Sequence, residues 1–282
     1  MRRIKIRIPA KINLTLDVVG NEKGYHNINS LVTSIDVYDE ITVKERKDDS
    51  ITLVETGIKS GCTLPDNNAF KAAKLFKEHY STQGVDIILN KKIPVGGGLG
   101  GSSADIAGVL KAMNELFCLN VDVKPFANSL GSDSGYMTEG GLAVLHGRGD
   151  IVEKIDGKLK LYLIIITEEK MVSAKTGYAQ FDKQGRKYIP ATEDAVNEIK
   201  GGGELKEILA KLKNDLYPSA IEILPAIAEN KKLLENAGAL KAVMTGSGSA
   251  VYGVFENVAK RNAAFKELEK IIPNKIIKAQ TL

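Results

Sequence analysis

The stretch Pro94-Val-Gly-Gly-Gly-Leu-Gly-Gly-Ser-Ser-Ala-Asp105 carries the residue types best suited to chemistry. Five glycines among the six residues Gly96 to Gly101 leave backbone amides without side-chain cover. Ile106, Val109, Leu110, Met113, Leu116 and Phe117 then recur at helical spacing, so the glycine run opens a helix with one buried face. Unpaired first-turn amides and the positive end of the helix dipole make such a junction an anion site. Ser102 and Ser103 add hydroxyls for phosphate oxygens or Mg²⁺, and Asp105 either joins the metal or opposes the dipole. The expected ligand is a nucleotide phosphate.

Other phosphate loops fit less well. A P-loop needs a lysine before its serine, and none stands there. Gly96, Gly98 and Gly101 satisfy the dinucleotide fingerprint, but polar Asn90-Lys-Lys-Ile-Pro94 precedes them instead of a short buried strand. A flexible linker would not run straight into an amphipathic helix. Lys91 and Lys92 lie near enough in sequence to assist phosphate binding.

Several single residues carry two readings each. Lys11 follows Pro9-Ala10 at a junction of strands, where a lysine is ordinarily a solvated edge residue. Asn13 shares its strand face and either bonds substrate or satisfies backbone at a bulge. Asp133 follows Leu130-Gly-Ser, a helix-ending turn whose amides it could cap. Asn67 precedes a helix and reads as its cap. Thr245-Gly-Ser-Gly-Ser249 is a tight hairpin, or brings backbone close to a bound phosphate or substrate.

The elements that must hold these residues read as α+β. Strands are expected over 4–8, 12–19, 31–37, 40–44, 51–54 and 85–89, with helices over 68–79 and 123–130 and a strand at 142–145. After a strong strand at 159–166, helices are expected at 193–199, 205–214 and 221–236. Strands at 239–244 and 250–255 flank the hairpin, and a helix over 258–271 precedes a last strand. The change in balance places a domain boundary near residue 155, giving domains 1–155 and 156–282.

Composition narrows the function classes. The 282 residues are 43% hydrophobic, enough for one large core or two smaller ones. The longest apolar run, Leu161 to Ile166, falls far short of the roughly 20 residues a membrane span needs. A net charge of +4 without a basic patch interleaved with aromatics gives no footprint for nucleic acid. Cys62 and Cys118 are too few for a disulfide framework, so reduced thiols in a cytoplasmic protein are expected, and His26, His79 and His146 have no metal spacing.

Pro9-Ala-Lys-Ile-Asn-Leu14, the glycine run and Thr245-Gly-Ser-Gly-Ser249, in this order across nearly the whole chain, resemble the three motifs of the GHMP kinases, a superfamily of small-molecule kinases. The resemblance implies a two-domain fold, with an N-terminal ribosomal protein S5 domain 2-like half and a C-terminal ferredoxin-like α/β sandwich. It implies ATP and Mg²⁺, with Pro94, Gly96, Gly97, Gly98, Leu99, Gly100, Gly101, Ser102, Ser103 and Asn67 at the nucleotide and Ser102 and Ser103 at the metal. Asp133 would be the general base, and Lys11 would stabilise the carboxylate, alkoxide and phosphoryl oxygens. Asn13, Gly246, Ser247 and Gly248 would meet the substrate.

Gly24-Tyr-His26, Asp36-Val-Tyr-Asp39, Asp66-Asn67, Leu130-Gly-Ser-Asp133 and Asn214-Asp-Leu216 further resemble a branch acting on a cytidine diphosphate-linked alcohol at its 2-hydroxyl, in non-mevalonate isoprenoid synthesis. By that resemblance Tyr25 and His26 recognise cytosine, with Tyr178 stacking on its other side. A monomer or weak homodimer without nucleic-acid or membrane partners is implied. Two features depart from the branch: a glycine run one residue shorter, and Ser134-Gly-Tyr-Met137 where the branch has Val-Pro-Phe-Phe, which alters the expected substrate wall. These leave open a GHMP kinase acting on homoserine, a sugar or a mevalonate derivative, or a non-catalytic sensor.

Overall fold

A computed structural model describes residues 2–22, 24–157, 159–185 and 189–282. In chain order the elements are β1 (Arg3–Asn13), β2 (Thr15–Glu22), β3 (Tyr25–Glu45), β4 (Ile51–Gly57), α1 (Asn68–Tyr80), β5 (Val85–Lys91), α2 (Gly101–Leu116), α3 (Lys124–Leu130), α4 (Ser134–Glu139), β6 (Ala143–His146) and β7 (Ile151–Lys154). They continue as β8 (Tyr162–Ile166), α5 (Ala174–Gln184), α6 (Thr192–Lys200), α7 (Leu205–Lys211), β9 (Lys213–Asn214), α8 (Tyr217–Ile223), α9 (Ala226–Asn236), β10 (Lys241–Met244), β11 (Val251–Phe255), α10 (Val258–Ile271) and β12 (Ile276–Gln280).

The chain forms two compact units, and they are interleaved rather than divided near residue 155. One comprises residues 1–10, 37–95 and 100–140; the other comprises 11–36, 96–99 and 141–282. Continuous strands explain the difference. Two expected strands, 31–37 and 40–44, are one 21-residue strand, β3, and β1 runs on through Pro9 to Asn13, so both elements belong partly to each unit.

In the first unit, residues 40–45 of β3 pair antiparallel with β5, which pairs in parallel with the edge strand β4. Alternation along β5 sends Val85, Ile87, Leu89 and Lys91 to the buried face. The helix α1 packs through Ala69, Ala72, Ala73 and Phe76. The following helix, α2, is buried nearly all round rather than on one face, because it lies among α1, α3 and α4. Small residues allow this: a Cβ on Gly108 would stand 2.5 Å from Ile41 Cδ1.

In the second unit, a four-stranded sheet of order β10-β11-β8-β12 is antiparallel throughout. Ile164, Ile166, Val251 and Phe255 from its strands pack with Ile227 and Leu234 of α9 in the core. The β2 strand pairs with β3 and, in parallel, with β9, while β6 joins residues 30–32 of β3. The single helix expected over 221–236 is two, since Pro225 lacks an N–H and disfavours helical backbone at Leu224. The helix α7 ends at Lys211 because Lys213 and Asn214 pair with Thr15 and Leu16.

Candidate active site

Within the second unit, three separate stretches of sequence converge on Lys11. Its side chain is 3% exposed, so it is a buried lysine rather than a solvated edge residue, and Nζ donates to Asn13 Oδ1 at 2.6 Å. The same oxygen accepts the Gly246 N–H at 2.9 Å and lies 3.1 Å from Thr245 Oγ1. Asn13 Nδ2 donates to Ser30 Oγ, the Asn13 N–H goes to Thr245 Oγ1, and its carbonyl accepts the Tyr252 hydroxyl. Asn13 is therefore occupied in orienting Lys11 and Gly246, where the sequence left it a substrate contact or a bulge residue.

The glycine run enters this arrangement through backbone. Leu99 O accepts the Lys11 N–H at 3.0 Å, and Gly97 O accepts that of Ala250. Gly98 has φ +74°, and a Cβ there would sit 2.3 Å from Thr245 O, inside any permitted contact. Only glycine allows this approach. Asn214 Nδ2 donates to Met244 O and Gly246 O, fixing the hairpin from a third side. Ser247 Oγ is spent on Val172 O. Across the glycine run, Gly96 packs against Met171.

Ser30, Asn214 and Tyr252 had no site role in the sequence reading. Asn214 lay in a motif noted for resemblance alone. Ser30 and Tyr252 are polar groups within buried strand segments, a pattern that any structural hydrogen bond would produce.

The aromatic group also lies in the second unit, in a different arrangement from the expected sandwich. His26 and Tyr178 stack on each other at 4.5 Å with planes 15° apart, which leaves no slot for a pyrimidine ring, since a sandwiched base needs about twice the stacking distance. His26 Nε2 also bonds Asp182 Oδ1 at 2.7 Å, and Phe181 meets the ring edge-on. Tyr25 is 56% exposed, with the Arg148 guanidinium 4.1 Å from its ring centroid. An aromatic face remains open at Tyr25.

Within the first unit, Gly100 is the N-cap of α2 with φ +79° and no side-chain cap hydrogen bond, so the first-turn amides of a 16-residue helix are left for an anion. Ser102 Oγ accepts from Asn68 Nδ2 at 2.6 Å, which leaves its own proton to donate elsewhere. Ser103 lies near the turn that carries Asp133, for a Cβ on Gly131 would be 3.7 Å from Ser103 Oγ. Asp133 immediately precedes α4, and its side chain makes no cap hydrogen bond to that helix. Pro94 is half-buried beside this region of the chain.

Three sequence expectations change in this unit. Asn67 is 6% exposed and caps α1, accepting the Ala69 N–H at 2.9 Å and donating to Glu55, so its side chain serves the helix instead of a nucleobase. Ser134, Gly135, Tyr136 and Met137 are buried in α4 rather than forming a wall for substrate; a Cβ on Gly135 would stand 1.9 Å from Asn128 Oδ1. Lys91 and Asp105 are paired with each other at 2.5 Å in the interior, which turns both away from phosphate and metal, and Lys92 pairs with Glu40 at the surface. Burial raises the Asp105 carboxyl to about 7, with the neighbouring Asp39 adding and Lys91 opposing.

Among the described residues no three His, Cys, Asp or Glu side chains converge as a metal site, and no helix is long and apolar enough to cross a membrane. The donors that fit Mg²⁺ are hydroxyls, Ser102 and Ser103, beside uncapped amides that fit phosphate.

Two family models match the chain: the GHMP kinases N-terminal domain over residues 67–147 and the GHMP kinases C-terminal domain over 189–274. The chain belongs to the GHMP kinase family, and as a member it is an ATP-using kinase with the family's two-domain fold of mixed α and β content. Among named relatives, 4-diphosphocytidyl-2-C-methyl-D-erythritol kinase of Caldicellulosiruptor bescii is 36% identical, covering 97% of each chain. The kinase of that name from Alkaliphilus metalliredigens is 33% identical over 95% of this chain and 93% of its own. The crystal structure of 4-(cytidine 5'-diphospho)-2C-methyl-D-erythritol kinase superposes with a TM-score of 0.83 at 25% identity, covering 98% of each chain. That of L. major mevalonate kinase with R-mevalonate gives 0.79 at 17%, covering 98% and 95%, a likeness of fold.

Proposed function

We propose that the chain transfers the γ-phosphoryl group of ATP to the 2-hydroxyl of 4-diphosphocytidyl-2-C-methyl-D-erythritol, a step toward isoprenoid precursors, in the cytoplasm as a monomer or weak homodimer. The observation that supports the chemistry is the placement of Lys11, buried and aimed by Asn13 and the 245–246 hairpin, with its backbone tied to the glycine run. The acceptor follows from the name that full-length relatives share.

ATP with Mg²⁺ supplies the phosphoryl group when bound. The uncapped amides of α2 and backbone from Gly96 to Gly101 hold phosphate oxygens, and Ser102 and Ser103 donate hydroxyl groups to phosphate or ligate the metal. Asp133 accepts the proton of the acceptor hydroxyl. Lys11 stabilises the negative charge that develops on the attacking and transferring oxygens. Gly246, Ser247 and Gly248 border the acceptor, while Tyr25 offers a ring face for cytosine beside the His26–Tyr178 pair. Replacing Asp133 by Asn tests the assignment: nucleotide binding is retained and turnover falls by about two to four orders of magnitude. Retained turnover overturns it.

A further inference from the structure

Lys91, Asp39 and Asp105 form a buried ionic cluster for which the phosphoryl-transfer chemistry above has no use. Alternation places Lys91 at the end of an apolar stripe on β5, in a buried position that continues the series Val85, Ile87 and Leu89. The antiparallel register that pairs Glu40 with Asn90 brings Asp39 beside it. Lys91 Nζ donates to Asp39 Oδ2 at 2.8 Å and to Asp105 Oδ2 at 2.5 Å, and the three residues are 3%, 1% and 5% exposed. Asp105 Oδ1 is buried without a hydrogen-bond partner.

Such a cluster is a poor source of stability. Two carboxyl groups share one ammonium, each ion has lost its water, and apolar side chains of similar volume are often equal or better in a core. Its geometry serves another end. Asp39 Oδ1 accepts the N–H groups of Lys92 and Ile93 at 2.6 and 2.9 Å, fixing the backbone just before Pro94. Ile93 in turn packs under the first residue of α2, since a Cβ on Gly101 would lie 3.1 Å from Ile93 Cγ2. Lys91 holds the same helix directly through Asp105, one turn further on. The glycine residues cannot stiffen their own run, and this cluster ties down the chain on both flanks of it.

We propose that Lys91, Asp39 and Asp105 act as a positioning clasp for the phosphate-binding end of α2, setting nucleotide affinity rather than fold stability. The inference rests on the kinase reading, and a nucleotide titration separates the two. The triple variant Lys91→Met, Asp39→Asn, Asp105→Leu removes every charge of the cluster while leaving an amide oxygen for the Lys92 and Ile93 N–H groups. It is expected to unfold at or above the parent's temperature, to bind ATP with Mg²⁺ about tenfold or more weakly, and to keep its acceptor KM within about twofold. Asp105→Asn, which keeps an oxygen for Lys91, is expected to stay within about threefold of the parent in ATP affinity.

A triple variant that folds and binds ATP as the parent does overturns the clasp. So does one that cannot fold, which would make the cluster structural, and so does an Asp105→Asn loss as large as the triple variant's. A parent that binds no ATP would instead overturn the kinase reading, and the clasp's purpose with it.

Discussion

Gly98→Ala puts the packing around Lys11 under direct strain. The added Cβ would stand 2.3 Å from Thr245 O and 2.9 Å from Thr245 C, at a backbone φ of +74°. An ordinary carbon–oxygen contact is about 3.3–3.6 Å, so the run and the hairpin must part by about 1 Å. Left-handed backbone adds about 1–2 kcal/mol for alanine relative to glycine. Thr245 Oγ1 and Gly246 N both touch Asn13 Oδ1, the acceptor of Lys11 Nζ, so the displacement passes to the lysine. A shift of that size in a positioning group costs on the order of a hundredfold in rate. Thermal unfolding and steady-state kinetics with ATP in excess together read the effect: a modest fall in unfolding temperature and a kcat loss near two orders of magnitude. A variant with parental kcat and stability would refute the claim that hairpin, glycine run and Lys11 form one rigid assembly.

Two further outcomes follow from the same geometry. Tyr25→Ala removes the exposed ring face and is expected to raise KM about tenfold or more for a cytidine-bearing acceptor while sparing acceptors without a base; equal losses for both, measured by competition kinetics, would remove base recognition from this residue. The Asp105 carboxyl, raised to about 7 by burial, keeps its proton in the folded chain after the unfolded chain has lost it, so its contribution to stability is complete below about pH 4 and disappears as pH rises through about 7. Urea unfolding of the parent is expected to weaken by roughly 2–3 kcal/mol from about pH 5 to about pH 8, and Asp105→Asn is expected to flatten that slope; identical slopes would contradict the assignment.

Much of the fold was legible because its signals are local. The alanine stripe of α1, the alternation of β5 and the glycine entry to α2 each follow from neighbouring residues. The departures came from distant partners. The strand β3 continues through 21 residues because β5 and β6 pair with separate parts of it, and no stretch of its own sequence announces either partner. The helices α4 and α5 have no counterpart in the sequence expectations, the first because a six-residue helix bearing glycine carries almost no period. At the site, the glycine run and Lys11 were visible from residue type and order. Their supports were not, since a hydrogen bond spanning 233 residues, from Gly246 N to Asn13 Oδ1, leaves no mark on sequence spacing. Asn67 illustrates the opposite case: its position before a helix predicted a cap, and the cap is what its side chain makes.

The central claim is most directly tested by following phosphoryl transfer from γ-labelled ATP with Mg²⁺ to four acceptors side by side: 4-diphosphocytidyl-2-C-methyl-D-erythritol, homoserine, mevalonate and a hexose. The expected result is label on the first acceptor at its 2-hydroxyl, with kcat/KM at least about a hundredfold above the others. Transfer to another of the four in preference, or ATP binding without transfer to any, would contradict it.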